Sequence, residues 1–203
     1  MPADKFTRVS GKAAAMPEDN IDTDIIYPAR FLLITARKGL GNYAFHDRRF
    51  AADGSEVAGY VLNDPEFREA PVIVAGANFG SGSSREQAVW ALHGLGTRVV
   101  ISTGFGEIFF GNCLRNGIVP IVVAEAELAE LMAAAAAGRA FTVDLESETL
   151  VVGNRTLGFA LPPERRLALL NGWDETDQVI NQHGAEIDAF EAGQRAVQPW
   201  LYA

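Results

Sequence analysis

The sequence is poor in the residues that make disulfides and metal sites. It contains one cysteine, Cys113, and three histidines, His46, His93 and His183, whose spacing matches no ligand pattern. A single cysteine forms no internal disulfide, which is typical of a reducing compartment. It also cannot hold an iron–sulfur cluster, which needs about three or four thiolates. We therefore expect no metal in this chain and a core position for Cys113.

Long apolar runs and a surplus of positive charge are also missing. No segment reaches the roughly 20 apolar residues of a membrane span, and residues 1–15 lack the apolar stretch of a signal peptide. Asp and Glu number 26 against 17 Lys and Arg, for a net charge of −9. This balance argues against nucleic acid or anionic membrane as a partner, since phosphate binding needs clustered cations. We expect a cytoplasmic protein, and the charge is still compatible with a small anionic substrate.

From residue 71 onward, apolar strands and helices alternate regularly. Strands are predicted at 72–77, 98–103 and 118–123, and helices at 84–95, 106–116 and 125–137. This alternation predicts an α/β fold with a parallel sheet. A hairpin within 141–152 precedes helices at 164–170 and 174–193. The strand-rich ends indicate a second, more antiparallel layer, and no boundary of a second domain is evident.

The first 63 residues are less regular. A short strand is predicted at 5–10, and residues 20–28 are predicted to be a polar turn that runs into a short strand ended by Pro28. Residues 29–63 are rich in turn signals. A connection of this length inside a compact domain is either functional or a packed excursion.

One Gly/Ser-rich segment, Asn78-Phe-Gly-Ser-Gly-Ser-Ser-Arg-Glu-Gln87, joins a predicted strand to a predicted helix. Free N–H groups at a helix start bind anions, and Gly80 and Gly82 allow a ligand to approach the backbone closely. Arg85 in a first helical turn would oppose the helix dipole. A carboxylate ligand would compensate it, so the segment predicts a carboxylate site with two serine hydroxyls beside it.

The simpler alternative is that these serines only cap the helix. Ser84 with Gln87, and Ser83 with Glu86, both fit a capping box. Nucleotide-binding motifs do not fit, because the Gly-Lys-Ser/Thr ending and the Gly-x-Gly-x-x-Gly spacing are absent. A Gly-x-Ser-x-Gly nucleophile elbow is absent as well. From the residues alone, the helix cap and the carboxylate site both stay open.

Three segments resemble one known family. The segment 78–87 resembles the signature of the swivelling domain of the aconitase superfamily, and 20–32 resembles its second hallmark. The segment 109–117 is similar to the helix that follows. Their order and spacing resemble the small subunits of bacterial 3-isopropylmalate dehydratases, from near Lys5 to about Glu191.

The resemblance implies a fold and a reaction. The expected fold is a single three-layer swivelling β/β/α domain over 1–203, with a mainly parallel central sheet and a C-terminal helical extension at about 163–203. Members isomerise 2-isopropylmalate and 3-isopropylmalate by dehydration and rehydration in leucine biosynthesis. Three cysteines of a separate partner, the large subunit, hold a 4Fe–4S cluster, whose open iron acts as a Lewis acid on the leaving hydroxyl.

The resemblance also implies roles for particular residues. Ser83 matches the catalytic serine, which acts as an alkoxide base. Ser84 and Arg85 match the pair that binds a substrate carboxylate, and Asp24 matches a residue near the same site. Arg30, like Arg37, flanks the variable loop, and from that position we predict that it meets a second substrate carboxylate.

Three residues depart from the family pattern. Ser81 stands where Cys is usual, Gln87 where His is usual and Tyr27 where Ile is usual. Tyr27 adjoins the segment that is implied to select the substrate's side group. A related dehydratase acting on methyl- or dimethylmalate is therefore an alternative. The others are a noncatalytic carboxylate-binding module and a purely structural partner of a large subunit.

Overall fold

A mixed seven-stranded sheet forms the centre of residues 5–202, the part of the chain that the computed structural model describes. In chain order the strands are β1 (Arg8–Met16), β2 (Val72–Ala75), β3 (Val99–Ser102), β4 (Val119–Val122), β5 (Ala140–Asp144), β6 (Thr149–Val152) and β7 (Arg155–Gly158). Their spatial order is β4-β3-β2-β1-β5-β6-β7. β1 pairs in parallel with β2 and antiparallel with β5, so the sheet changes direction at this strand.

The two halves of the sheet therefore differ. From β4 to β1 every pair is parallel, and from β1 to β7 every pair is antiparallel. The predicted α/β class with a parallel core is confirmed, and the predicted antiparallel part continues the same sheet through β1. Pro120, which has no backbone N–H to donate, lies in β4. This strand is at the edge of the sheet, where proline is tolerated.

The helices pack on both faces of the sheet. They are α1 (Thr23–Ile26), α2 (His46–Arg49), α3 (Glu86–Leu95), α4 (Glu107–Arg115), α5 (Glu125–Ala136), α6 (Pro163–Asn171) and α7 (Glu175–Val197). Alternate residues of β2 point to opposite faces, Ile73 into the core beneath α3 and Val74 into the core beneath α5. Both cores are thus built on the short parallel strands, whose residues are almost all buried.

The strand predicted within 20–28 is wrong, because this segment forms the helical turn α1. A carboxylate oxygen of Asp22 accepts the N–H of Ile25 at 2.8 Å and caps the turn. The N–H of Tyr27 then closes the turn onto the carbonyl oxygen of Thr23 at 2.9 Å. Local capping overrides the short apolar run here. The strand predicted at 5–10 is real but runs over Arg8–Met16.

Residues 29–63 form a packed excursion, one of the two predicted alternatives. Leu40, Phe45 and Leu62 are fully buried in the core beneath α3. The backbones of Gly41 and Gly94 lie so close that a Cβ on either glycine would meet the other's backbone at under 3 Å. Glycine at both positions lets the excursion pack directly onto α3.

A buried arginine organises the interior of this excursion. Arg49 is 5% exposed and donates to the carbonyl oxygens of Gly41 at 3.2 Å and Ala44 at 3.3 Å. The side-chain amide of Asn63 donates to the Arg49 carbonyl oxygen at 2.7 Å. Burial lowers the pKa of Arg49 from its ordinary value. The backbone carbonyls thus replace the water that the guanidinium loses.

The C-terminal part contains the predicted hairpin β5–β6, the predicted helix α6 and the predicted long helix α7. Strand β7 was missed, although the two-residue Gly153-Asn154 turn before it is a hairpin signal. No residue of α7 is buried, and Phe190 and Val197 expose more than half of their surface. Within 5–202, no helix is both long and apolar enough to cross a membrane.

Candidate active site

The Gly/Ser loop lies against the Asp22-Thr-Asp24 segment along its backbone. The N–H of Gly80 donates to the carbonyl oxygen of Ile21 at 2.7 Å, and the N–H of Thr23 donates to that of Ser81 at 2.9 Å. The hydroxyl of Thr23 donates to the carbonyl oxygen of Ser83 at 3.0 Å. Two hallmark segments that are about 60 residues apart in the sequence therefore form one unit.

On its other side the loop pairs with the segment before α4. The N–H of Phe79 donates to the carbonyl oxygen of Gly104, and the N–H of Gly106 donates to that of Phe79, both at 3.0 Å. A Cβ on Gly80 would overlap the ring of Phe109, lying 2.7 Å from Cδ2 and closer to two other ring carbons. Gly80 also has φ +70°. Glycine at this position thus lets the loop lie directly on the aromatic ring.

The predicted capping boxes are wrong. α3 begins at Glu86, two residues later than predicted, and its N-cap position is Arg85, with no capping side chain. The hydroxyls of Ser83 and Ser84 have no hydrogen-bond partner among residues 5–202, and both residues are exposed. The serines are therefore not occupied as caps, and their hydroxyls are open to a ligand.

Arg85, the residue after Ser84, forms an ion pair with Asp24. A guanidinium nitrogen of Arg85 contacts a carboxylate oxygen of Asp24. The Arg85 side chain is 16% exposed and that of Asp24 is 51% exposed, so the pair lies at the rim of the loop. Partial burial strengthens the field of a cation that an incoming carboxylate would meet. Of the two aspartates, Asp22 caps α1, and only Asp24 contacts Arg85.

The structure does not bring Arg30 into this hydrogen-bonded unit. Its guanidinium pairs with the carboxylate of Asp47, one of the two contacts being 2.8 Å, and lies 3.2 Å from Nδ1 of His46. Hydrogen bonding to Arg30 holds the pKa of Asp47 below its ordinary value, and the same bond raises the pKa of Arg30. Arg37 stacks on Trp90, with 4.1 Å between the guanidinium carbon and the ring centroid.

Tyr27, one of the departures from the family pattern, is fully buried. Its hydroxyl donates to the carbonyl oxygen of Phe31 at 2.8 Å and supports the turn over Ala29–Phe31. Two residues beyond Phe31, Leu33 is 92% exposed. Tyr27 therefore shapes the base of this loop, whereas Leu33 presents an apolar side chain to solvent.

The described residues offer no ligand set for an iron–sulfur cluster. Among residues 5–202, no three or more His, Cys, Asp or Glu side chains form a group suited to a metal ion. Cys113 is fully buried in α4, and burial raises the pKa of its thiol well above its ordinary value. A cluster needs several accessible thiolates, so the residues of this chain do not fit one.

Sequence reasoning missed Thr23, the residue that ties the two hallmark segments together. Thr23 is 1% exposed, and both its N–H and its hydroxyl donate to the Gly/Ser loop. The available signal was a hydroxyl residue at the centre of Asp-Thr-Asp. Its partner is a backbone carbonyl more than 50 residues away, which no local pattern encodes.

Comparison with known proteins assigns the family. Residues 3–126 match the family model described as the aconitase C-terminal domain, and residues 182–203 match that of the C-terminal domain of the 3-isopropylmalate dehydratase small subunit. A curated "3-isopropylmalate dehydratase small subunit" from Caulobacter vibrioides is 46% identical over 200 residues, covering 98% of both chains. One of the same name from Paracoccus denitrificans is 47% identical over 201 residues, 98% of this chain and all of the relative.

A solved structure supports the same family assignment. The crystal structure of a 3-isopropylmalate dehydratase from Methanocaldococcus jannaschii superposes with a TM-score of 0.66 at 29% identity, covering 90% of this chain and 99% of that one. Full-length similarity of this kind, together with the paired hallmark segments, shows that the chain belongs to the family of 3-isopropylmalate dehydratase small subunits.

Proposed function

We propose that this chain is the small subunit of a cytoplasmic hydro-lyase that interconverts 2-isopropylmalate and 3-isopropylmalate in leucine biosynthesis. The observation that supports the proposal is the joining of the two hallmark segments, through Thr23 and the Ser83 carbonyl and through Asp24 and Arg85, in a loop whose Ser83 and Ser84 hydroxyls are free. A carboxylate substrate needs a cation, and its dehydration needs a base. This unit offers both.

Ser83 acts as the base in this proposal. Its oxygen, as an alkoxide, takes the proton from the carbon next to a substrate carboxylate, and the electron pair of the broken C–H bond forms the alkene as the hydroxyl leaves. The reverse sequence adds water back at the neighbouring carbon. Negative charge builds up in the transition state, and oriented N–H groups and the Arg85 guanidinium stabilise it.

The remaining roles follow from position. Ser84 and Arg85 bind one substrate carboxylate, and Asp24 holds Arg85 in place through the ion pair. Arg30 meets a second carboxylate in this proposal, which requires it to exchange its contact with Asp47 for the substrate. Leu33, on the segment implied to select the side group, contacts the isopropyl group of the substrate.

The rest of the site comes from a large subunit. The relatives are named small subunits, the loop of Ser83 and Ser84 is open to solvent, and residues 5–202 offer no group suited to a cluster. We assign the 4Fe–4S cluster to that partner. The present chain then contributes the base and the carboxylate-binding groups across the interface.

Reconstitution with a large subunit of the isopropylmalate type tests the proposal. We expect the mixture, and neither chain alone, to form the alkene intermediate from 3-isopropylmalate, followed by absorbance. Ser83→Ala lowers kcat by about 10²–10⁴-fold, as removal of a general base does. Ser147→Ala, an exposed serine in the β5–β6 turn, serves as the control with unchanged kcat. Activity of this chain by itself, or full activity of Ser83→Ala, contradicts the proposal.

The side group of the substrate needs a separate measurement. We expect kcat/KM for isopropylmalate to exceed that for methyl- and dimethylmalate. Leu33→Ala lowers kcat/KM for isopropylmalate by roughly tenfold, since one or two lost apolar contacts change binding by about 1–3 kcal/mol. Faster turnover of a smaller alkylmalate by the unaltered complex would assign the chain to a related dehydratase instead.

A further inference from the structure

Thr23 controls the direction of one peptide group in the candidate site. Its hydroxyl donates to the carbonyl oxygen of Ser83 at 3.0 Å, while its N–H donates to that of Ser81 at 2.9 Å. A single buried residue thus holds the loop on both sides of Gly82. Gly82 has φ +91°, a conformation that other residues rarely adopt.

The geometry of a trans peptide gives this contact a consequence. In such a peptide the C=O and the next N–H point in opposite directions. Because the Ser83 carbonyl points inward to Thr23, the N–H of Ser84 points to the opposite side, away from α1. Within residues 5–202, this N–H has no acceptor. It is an unpaired donor, held in one direction, on the peptide that joins Ser83 to Ser84.

We propose that Thr23 is a positioning residue for the reaction, which fixes the Ser83–Ser84 peptide so that the Ser84 N–H faces the reacting groups. This inference rests on the proposed function, because it requires Ser83 to be the base. Without the Thr23 hydroxyl, the Ser83 carbonyl loses its buried partner, and the peptide is free to rotate toward water. An oriented donor then becomes a fluctuating one, which weakens stabilisation of developing negative charge.

The buried hydroxyl of Thr97 provides a matched control. Thr97 is fully buried like Thr23, but its hydroxyl has no hydrogen-bond partner among residues 5–202. Thr→Val at either position keeps the shape and removes the hydroxyl. At Thr97 the substitution removes an unsatisfied polar group, so it leaves the loop unchanged.

The test uses the assembled two-subunit enzyme, with each variant first checked for assembly by size-exclusion chromatography. We expect Thr23→Val to lower kcat at least tenfold with KM within about threefold, and Thr97→Val to keep kcat within twofold. Thr23→Ser, which retains the hydroxyl, restores kcat to within about threefold of the unaltered enzyme. A purely structural role would lower the amount of complex, or raise KM, without this rescue.

Failure of the proposed function and failure of the Thr23 inference give different results. Full activity of Ser83→Ala removes the proposed base, and with it both proposals. An inactive Ser83→Ala together with unchanged kcat in Thr23→Val overturns the positioning role alone. Should Thr23→Val not assemble, Thr23→Ser and Thr23→Ala carry the test as a pair. Equal kcat in these two variants rejects the inference, and a tenfold higher kcat in the serine variant supports it.

Discussion

The Gly/Ser loop and helix α7 are opposites in regularity and in constraint. The loop has no regular structure, and Asn78, Gly80 and Gly82 all adopt positive φ. Yet it is hydrogen-bonded to a flanking segment on each side and rests on Phe109. α7 is regular over Glu175–Val197 apart from His183, but none of its residues is buried. In this protein the irregular segment is therefore hydrogen-bonded to neighbouring segments and rests on a buried ring, whereas the longest helix buries no residue.

Gly80→Ala tests the constrained side of this comparison and has the largest expected effect. The new Cβ would overlap the Phe109 ring at a positive φ. Overpacking together with the strained backbone should lower the free energy of unfolding by about 3 kcal/mol. Urea denaturation of the isolated chain measures this. Gly193→Ala in α7, where a Cβ meets open space, is the control and should change stability by less than about 1 kcal/mol. Equal losses in both variants would refute the comparison.

Ser102→Ala tests a hydrogen bond just behind the loop. The buried Ser102 hydroxyl lies 2.6 Å from the carbonyl oxygen of Gly76 and accepts the N–H of Gly104 at 3.2 Å. Its removal leaves buried groups without partners and should lower the unfolding free energy by about 1–3 kcal/mol. Ser10→Ala, on the exposed antiparallel side, loses only a contact to the Thr142 hydroxyl. A loss there above about 0.5 kcal/mol would show that exposure does not separate the two regions.

The pH dependence of stability is a further measure of burial next to the loop. Burial raises the pKa of Cys113, so the folded thiol stays protonated at a pH where the unfolded thiol, near pKa 8.5, ionises. The unfolded state then binds fewer protons, and stability falls as pH rises above about 8.5, by up to about 1.4 kcal/mol per pH unit. Cys113→Ala removes this component. Identical slopes for both proteins between about pH 8.5 and 10 would contradict it.

Removal of residues 182–203 tests the unconstrained side and has the smallest expected effect. The described residues of this segment bury no side chain. We therefore expect the free energy of unfolding of the remaining domain to change by less than about 1 kcal/mol. Thermal unfolding followed by circular dichroism measures it. A loss of cooperative unfolding would show that α7 stabilises the sheet, and would contradict the prediction that it belongs to a C-terminal helical extension at about 163–203.

Periodic apolar patterns predicted the elements that bury one continuous face. The helix over Glu125–Ala136 and the strands at 72–75 and 99–102 were found to within two residues. Their buried positions follow a regular pattern of apolar residues along the sequence. α1 was not found, and the residues expected to cap α3 were wrong. The limits of these two helices depend on Asp22 as a cap and on a loop held by distant carbonyls. The Asp22 cap is local and its signal was overlooked, whereas the partners of the loop lie in other segments and leave no local pattern.

The family resemblance predicted Ser83, Ser84, Arg85 and Asp24 as site residues. Their roles remain predictions. The structure adds that Asp24 contacts Arg85 and that Arg30 contacts Asp47. It also replaces the helix-cap interpretation of the serines with free hydroxyls. Such distinctions depend on which side chains meet in three dimensions. Composition and spacing alone could not supply them.

Strand β1 is synthesised before both of the strands with which it pairs. β1 precedes the other six strands in the chain, yet Ala13 pairs with Val72 and Arg8 with Asp144. A nascent chain that ends before β5 has an open strand edge at the middle of its future sheet, and such edges invite intermolecular pairing. Contacts this distant in sequence also slow folding. The antiparallel edge of β1 therefore stays open until β5 has been synthesised and can pair with it.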